Sequence, residues 1–149
     1  MKKYILIQII SGLLIVLFAY AAISKIINHQ VFYIELLKFP WLSGIAGFLS
    51  WFIPSVELIT VALLFFPKTV LYGLYASALL LMLFTAFLIL MMAFNSNLPC
   101  SCGGVIAQLS WKQHIAFNCF FMMISIAGIR LLKKHKYSTG NLQSVTGSM

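Results

Sequence analysis

Apolar residues in this chain come in long unbroken runs, not in an alternating or one-sided pattern. YILIQIISGLLIVLFAYAAIS (4–24), GIAGFLSWFIPSVELITVALLFF (44–66), TVLYGLYASALLLMLFTAFLILMMAF (69–94) and WKQHIAFNCFFMMISIAGIRLL (111–132) are the four longest. Each supplies the roughly 20 residues that a helix rising about 1.5 Å per residue needs to cross a hydrocarbon core about 30 Å thick. Strands are excluded, because the runs do not alternate and far exceed the roughly 9–11 residues of a barrel strand. The predicted fold is all-α, an integral membrane four-helix bundle. The second run is closed by Pro67, the third is long enough to require tilt, and the fourth ends in a basic cluster.

Between the first two spans lies KIINHQVFYIELLKFPWLSG (25–44). Ile26, Ile27, Phe32, Tyr33, Leu36 and Leu37 fall roughly on one side and Asn28, His29, Gln30 and Glu35 elsewhere, which predicts an interfacial helix ended by Pro40. It reads as a lid at the membrane surface. Residues 1–136 then form one four-span domain, and the polar tail YSTGNLQSVTGSM (137–149) has no apolar period and is expected to be disordered. Lys2, Lys3, the first apolar run and Ala19-Tyr20-Ala21 mimic a signal peptide, but the run is expected to stay as a helix.

Composition agrees with this reading: 62% hydrophobic and 8% charged residues, with mean hydropathy +1.04, lie far outside the soluble range. A net charge of +8 invites a nucleic-acid reading, but the basic residues sit at the ends of apolar runs and form no face interleaved with polar groups. They orient the chain in a bilayer instead. With both termini inside, Lys2, Lys3, Lys68, Arg130, Lys133, Lys134 and Lys136 are cytoplasmic, and only Lys25, Lys38 and Lys112 lie on the far side. The segment between the third and fourth spans is then extracytoplasmic, facing the periplasm of a bacterial inner membrane, where disulfides persist.

Polar residues inside the spans are few and spaced. Thr69, Gly73 and Ser77 recur every four residues on the third span and read as a packing stripe of small side chains. On the second, Ser43, Ser50, Glu57 and Thr60 form one polar side, and Pro54 leaves the Ser50 carbonyl without its helical donor. On the fourth, His114, Asn118 and Ser125 share a face. The two polar sides are expected to look inward at each other.

The candidate chemistry centres on Cys100 and Cys102 in NLPCSCGGVIAQLSW (97–111). A C-x-C pair can close a disulfide in a very short ring, which tends to store strain and makes the bond easier to reduce than a relaxed bridge. Pro99 discourages helix before it, and Gly103 and Gly104 let a partner's sulfur approach. The pair reads as a redox-exchange centre, with a static loop clip as the other reading. A metal held by both thiolates with His29 and His114 fits no recognised zinc spacing, and no metal is expected. Cys119, amid phenylalanines, reads as inert packing. Glu57, one of two acidic residues, lies within a span, where an ionisable group points to function. Its roles are a proton acceptor beneath a quinone-like or lipid ligand, or a buried hydrogen-bond partner of Lys25, Ser50, His114 or Asn118. His114 serves either as a base near the thiols or as an interfacial anchor.

FAYAAISKIINHQVFYIELL, IPSVELITVALLF, CSCGG and SWKQHIAFN, in that order over roughly residues 18–125, resemble the MauE branch of the DoxX-like membrane proteins. The resemblance implies a four-helix membrane fold similar in outline to quinone-coupled thiol oxidoreductases such as the vitamin K epoxide reductase group, with a quinone as candidate cofactor. It also implies a role in maturing secreted proteins, as MauE is associated with making the disulfide-rich methylamine dehydrogenase. The motif residues carried over are Lys25, Pro54, Glu57, Cys100, Cys102, Trp111 and Asn118. The chain departs from a self-sufficient quinone-coupled oxidase in having no C-x-x-C and no second outer cysteine pair. The expectation is disulfide exchange through Cys100 and Cys102 with a periplasmic thioredoxin-like or client protein, supported by Lys25, Glu57, His114 and Asn118. The rival is a non-catalytic membrane subunit or chaperone of a larger complex, in which the pair only braces its loop.

Overall fold

The computed structural model describes residues 2–94 and 111–146. They form α1 (Lys2–Ile27), α2 (His29–Leu37), a short 3-10 turn (Ser43–Ile45), α3 (Ala46–Phe65), α4 (Val70–Phe94) and α5 (Trp111–Thr146), with no strand among the described residues. Four helices are long and apolar enough to span a membrane. The all-α four-helix membrane fold is therefore as the apolar runs require: in hydrocarbon a helix satisfies its own backbone groups.

The helices pack in a ring, α1 against α3, α3 against α4, α4 against α5 and α5 against α1, so that α3 and α5 stand across the bundle from each other. At its centre Leu14, Phe18, Leu64, Leu74, Leu81 and Ile129 form one apolar cluster. Large side chains such as Val16, Phe48, Ile59, Leu79 and Met123 point outward, as a lipid-facing surface should. Close approach rests on small residues. A Cβ on Gly73 would come within 2.8 Å of the Leu64 backbone nitrogen, Thr69 Oγ1 donates to the Leu63 carbonyl at 2.9 Å, and Ser77 is fully buried. The expected small-residue stripe is the seam of the α3–α4 hairpin.

The interfacial helix is present as α2, and Phe32 and Leu36 pack it onto Ala46 at the start of α3. Phe39, just past it, meets the Phe87 ring of α4 at 5.4 Å. Pro54 lies within α3 and is buried. Ser43 departs from expectation: it is exposed and its hydroxyl donates to the Pro40 carbonyl at 2.9 Å, because the 3-10 turn ahead of α3 rotates it off the polar side. The last helix also runs further than expected, through Thr146. No proline stands between Trp111 and Thr146 to end it, so the helix continues through most of the segment assigned to a disordered tail.

Candidate functional site

On α3, Ser50, Pro54, Glu57, Thr60 and Leu64 are buried, at intervals of three and four that keep them on one helical face. Across the bundle, His114, Asn118 and Ser125 are buried on α5. The two polar sides thus turn inward as expected, but diagonally, with α1 and α4 closing the ring between them. Thr60 Oγ1 donates to the Val56 carbonyl at 2.9 Å and Ser125 Oγ to the Phe121 carbonyl at 3.0 Å. These two hydroxyls satisfy themselves on their own helices and need no ligand.

Glu57 does not. One of its oxygens, Oε1, accepts a hydrogen bond from Lys25 Nζ at 2.7 Å, with both side chains buried. Lys25 stands near the end of α1, where a lysine ordinarily extends its ammonium toward the headgroups. Here the side chain turns into the bundle, because Glu57 offers a counter-charge and two rings complete the cage: Phe84 at 4.8 Å and Phe32 at 5.9 Å from the ammonium. Lys25, expected on the far side of the membrane with Lys38 and Lys112, is buried within the bundle, so its charge is held by Glu57 and not by the aqueous phase. Its role as buried partner of Glu57 holds, whereas Ser50 turns elsewhere. Ser50 Oγ donates to the Gly47 carbonyl at 2.8 Å and shares a 3.0 Å hydrogen bond with His29 Nε2, and the His29 ring lies tilted by 32° against Trp51 with centroids 4.5 Å apart.

Lys25, Glu57, His114 and Asn118 line one cavity of about 80 Å³, walled by Phe18, Phe84 and Phe117 among others. Two buried polar atoms of these residues have no hydrogen-bond partner among the described residues, Glu57 Oε2 and His114 Nδ1. All four supporting residues taken from the sequence are therefore brought together. Phe32 and Phe84 were missed, because phenylalanine in an apolar span carries no signal separating a cation's cage from lipid contact. Cys100 and Cys102 lie outside the described residues, as does the rest of the segment 95–110 that joins the end of α4 to the start of α5. Trp111 opens α5, and Cys119 is a half-buried free thiol. Among the described residues no three His, Cys, Asp or Glu side chains converge on a metal position.

A quinone fits poorly. The polar cavity of about 80 Å³ is smaller than the roughly 150 Å³ that admits even a benzene ring. The larger neighbouring cavity, about 280 Å³, is lined by apolar residues alone and offers no donor to a ring carbonyl.

Residues 3–131 match the family described as methylamine utilisation protein MauE. The chain belongs to the MauE family. The match takes in all four spans, the Lys25–Glu57 pair, the C-x-C segment and the α5 face with His114 and Asn118. No curated protein and no solved structure matches the chain. The MauE assignment agrees with the resemblance carried by the K, P-x-x-E, C-x-C and W-x-x-x-x-x-x-N positions.

Proposed function

We propose that this MauE-family chain is a bacterial inner-membrane protein that exchanges disulfides with a periplasmic thioredoxin-like or client protein through Cys100 and Cys102. The observation that carries the reading is the C-x-C pair itself, set between Pro99 and Gly103-Gly104 in the segment joining two spans. With both termini inside, that segment faces the periplasm, where a C-x-C bridge is chemically useful. In the exchange, a thiolate of the reduced pair attacks the partner's disulfide, forming one S–S bond and expelling one partner thiolate. The neighbouring cysteine then attacks the mixed disulfide, closing the C-x-C bridge and releasing the second partner thiol. Two electrons pass from the chain to its partner and the reverse sequence returns them, so the exchange requires no further oxidant. The broader DoxX-like placement belongs to the same proposal.

A second reading, an accessory subunit or chaperone with a braced loop, is favoured by one observation. The sequence holds three cysteines, and the third, Cys119, lies within α5, which leaves no second outer pair to relay electrons onward. Acid quenching and alkylation of native membranes separates the two. Exchange predicts that Cys100→Ser or Cys102→Ser accumulates a mixed disulfide with another protein, visible as a reducible shift in mass. A bridge that never opens, with full function in the double serine variant, would establish the accessory role.

A further inference from the structure

Most hydroxyls within the spans bond their own helix. Ser55, Thr60, Ser77, Thr85 and Ser125 each donate to the carbonyl four residues back. Ser11 on α1 does not: it is 7% exposed, and its Oγ has no hydrogen-bond partner among the described residues. It lines a cleft of about 230 Å³ at the end of the bundle where α1 begins, α3 ends and α4 opens. Ile7, Leu64 and Val70 form the buried back of this cleft, whereas Gln8, Gly12 and Phe65, also on its lining, are exposed. The cleft therefore reaches the lipid-facing surface between α1 and α3. A Cβ on Gly12 would meet nothing within 4 Å. The volume exceeds the roughly 150 Å³ that admits a benzene ring, and the lining runs from Ile7 to Ile15, about 12 Å along α1. A length of hydrocarbon chain fits.

Exposed charges at this end are of one sign. Lys68, Arg130, Lys133 and Lys134 are exposed there, while the two acidic residues of the chain, Glu35 and Glu57, lie on α2 and in the middle of α3. Pro67 lines the cleft and Lys68 follows it directly. Lys133, which follows the lining residue Leu132, instead places its ammonium over the Tyr75 ring at 5.3 Å.

We propose that this cleft binds one anionic phospholipid, with an acyl chain along α1, an ester carbonyl accepting from Ser11 Oγ and the phosphate at Lys68. Any chain of the bilayer can lie against an apolar cleft; the buried hydroxyl and the lysine at the rim are what select one lipid. A hydroxyl donor without a partner inside hydrocarbon is costly, and the carbonyl where an acyl chain meets its glycerol is the acceptor that arrives with the chain. Water would also satisfy Ser11, but a lining otherwise of Ile, Leu, Val, Phe and Pro with one glutamine at the mouth gives it too few polar partners to fill the rest. Charge decides the headgroup, because a basic end attracts anionic lipid. The site is independent of the thiol chemistry and stands or falls without Cys100 and Cys102.

Native mass spectrometry of the full chain in detergent, titrated with phosphatidylglycerol or with phosphatidylcholine of the same acyl chains, tests this. One phosphatidylglycerol should bind above the non-specific ladder, about fivefold tighter than phosphatidylcholine, the preference that one lysine beside an anionic headgroup supplies. Lys68→Gln should remove that preference, and Lys38→Gln, exposed at the opposite end of the bundle, should leave it unchanged. Ester-linked phosphatidylglycerol should bind about fivefold tighter than its dialkyl ether analogue, as one hydrogen bond contributes, and Ser11→Ala should erase the difference. Gly12→Leu, which projects into the cleft, should suppress specific binding of every lipid. Thermal unfolding and elution volume establish that each variant folds. Equal binding of the two headgroups would overturn the proposal, as would equal binding of ester and ether forms or binding unchanged in Gly12→Leu. So would the absence of any specific lipid, the result if water alone occupies the cleft, or a dimer abolished by Gly12→Leu, which would make a second copy of the chain the occupant.

Discussion

Lys25 and Glu57 are 32 positions apart in the chain and 2.7 Å apart in the bundle, and among the described residues lining their cavity there is no other Lys, Arg, Asp or Glu to share either charge. A buried pair of this kind contributes little net stability, because desolvation of both ions offsets their attraction, but removing one partner strands the other. Lys25→Met should therefore lower unfolding free energy by about 3–5 kcal/mol, measured by chemical unfolding in mild detergent. Lys25→Met combined with Glu57→Met should recover most of that loss. If the double variant is as unstable as the single one, the cost lies in packing and not in the stranded carboxylate. The polar residues of this site were legible in the sequence, unlike the phenylalanines around them: an acidic residue within a span is expensive enough to announce itself. Which way the Lys25 side chain turns was not legible, because a lysine at the end of an apolar run has water in one direction and, invisibly to the sequence, a carboxylate in the other. Nor does residue type separate Thr60 and Ser125, which bond their own helices, from Glu57 and His114, which keep an atom open.

Among the elements, the α3–α4 hairpin is held by contact of backbone on backbone. Gly73 sits where an added Cβ would meet the Leu64 nitrogen at 2.8 Å, whereas a Cβ on Gly12 would meet nothing within 4 Å. Gly73→Ala must push two helices apart and is expected to cost about 1–3 kcal/mol, as overpacking does. Gly12→Ala, which places a better helix former on an open face of α1, should be neutral or stabilising by up to about 1 kcal/mol. Thermal unfolding of the two variants side by side checks the contrast. The spans themselves were legible to within a few residues, since a continuous apolar run has one low-energy conformation in hydrocarbon. The end of α5 was not. A polar stretch that contains glycine but no proline neither requires a helix nor forbids one, so composition alone could not place its end at Thr146.

For the whole molecule, the proposed vectorial placement makes a claim about opposite faces. Trp41, exposed between α2 and the 3-10 turn, and Lys68, exposed between α3 and α4, belong to opposite ends of the bundle because α3 runs from one to the other. In otherwise cysteine-free chains, Trp41→Cys should react with a membrane-impermeant maleimide in intact spheroplasts, and Lys68→Cys only after the membrane is opened. The reverse pattern would put the C-x-C segment in the cytoplasm and remove the basis for periplasmic exchange. Turning Lys25 inward takes one charge from the outer count but leaves the bias toward the other end intact, since Lys68, Arg130, Lys133 and Lys134 are unaffected.

The Lys25–Glu57 contact also bears on how the chain enters a bilayer during synthesis. At the centre of a lone helix an acidic or basic side chain costs about 2.5–3.5 kcal/mol to insert. The helix bearing the carboxylate emerges from the ribosome second, when the one bearing the ammonium is already in place. Its burden falls on arrival beside that first helix, and a nascent chain whose leading segment had been lost would integrate its successor poorly.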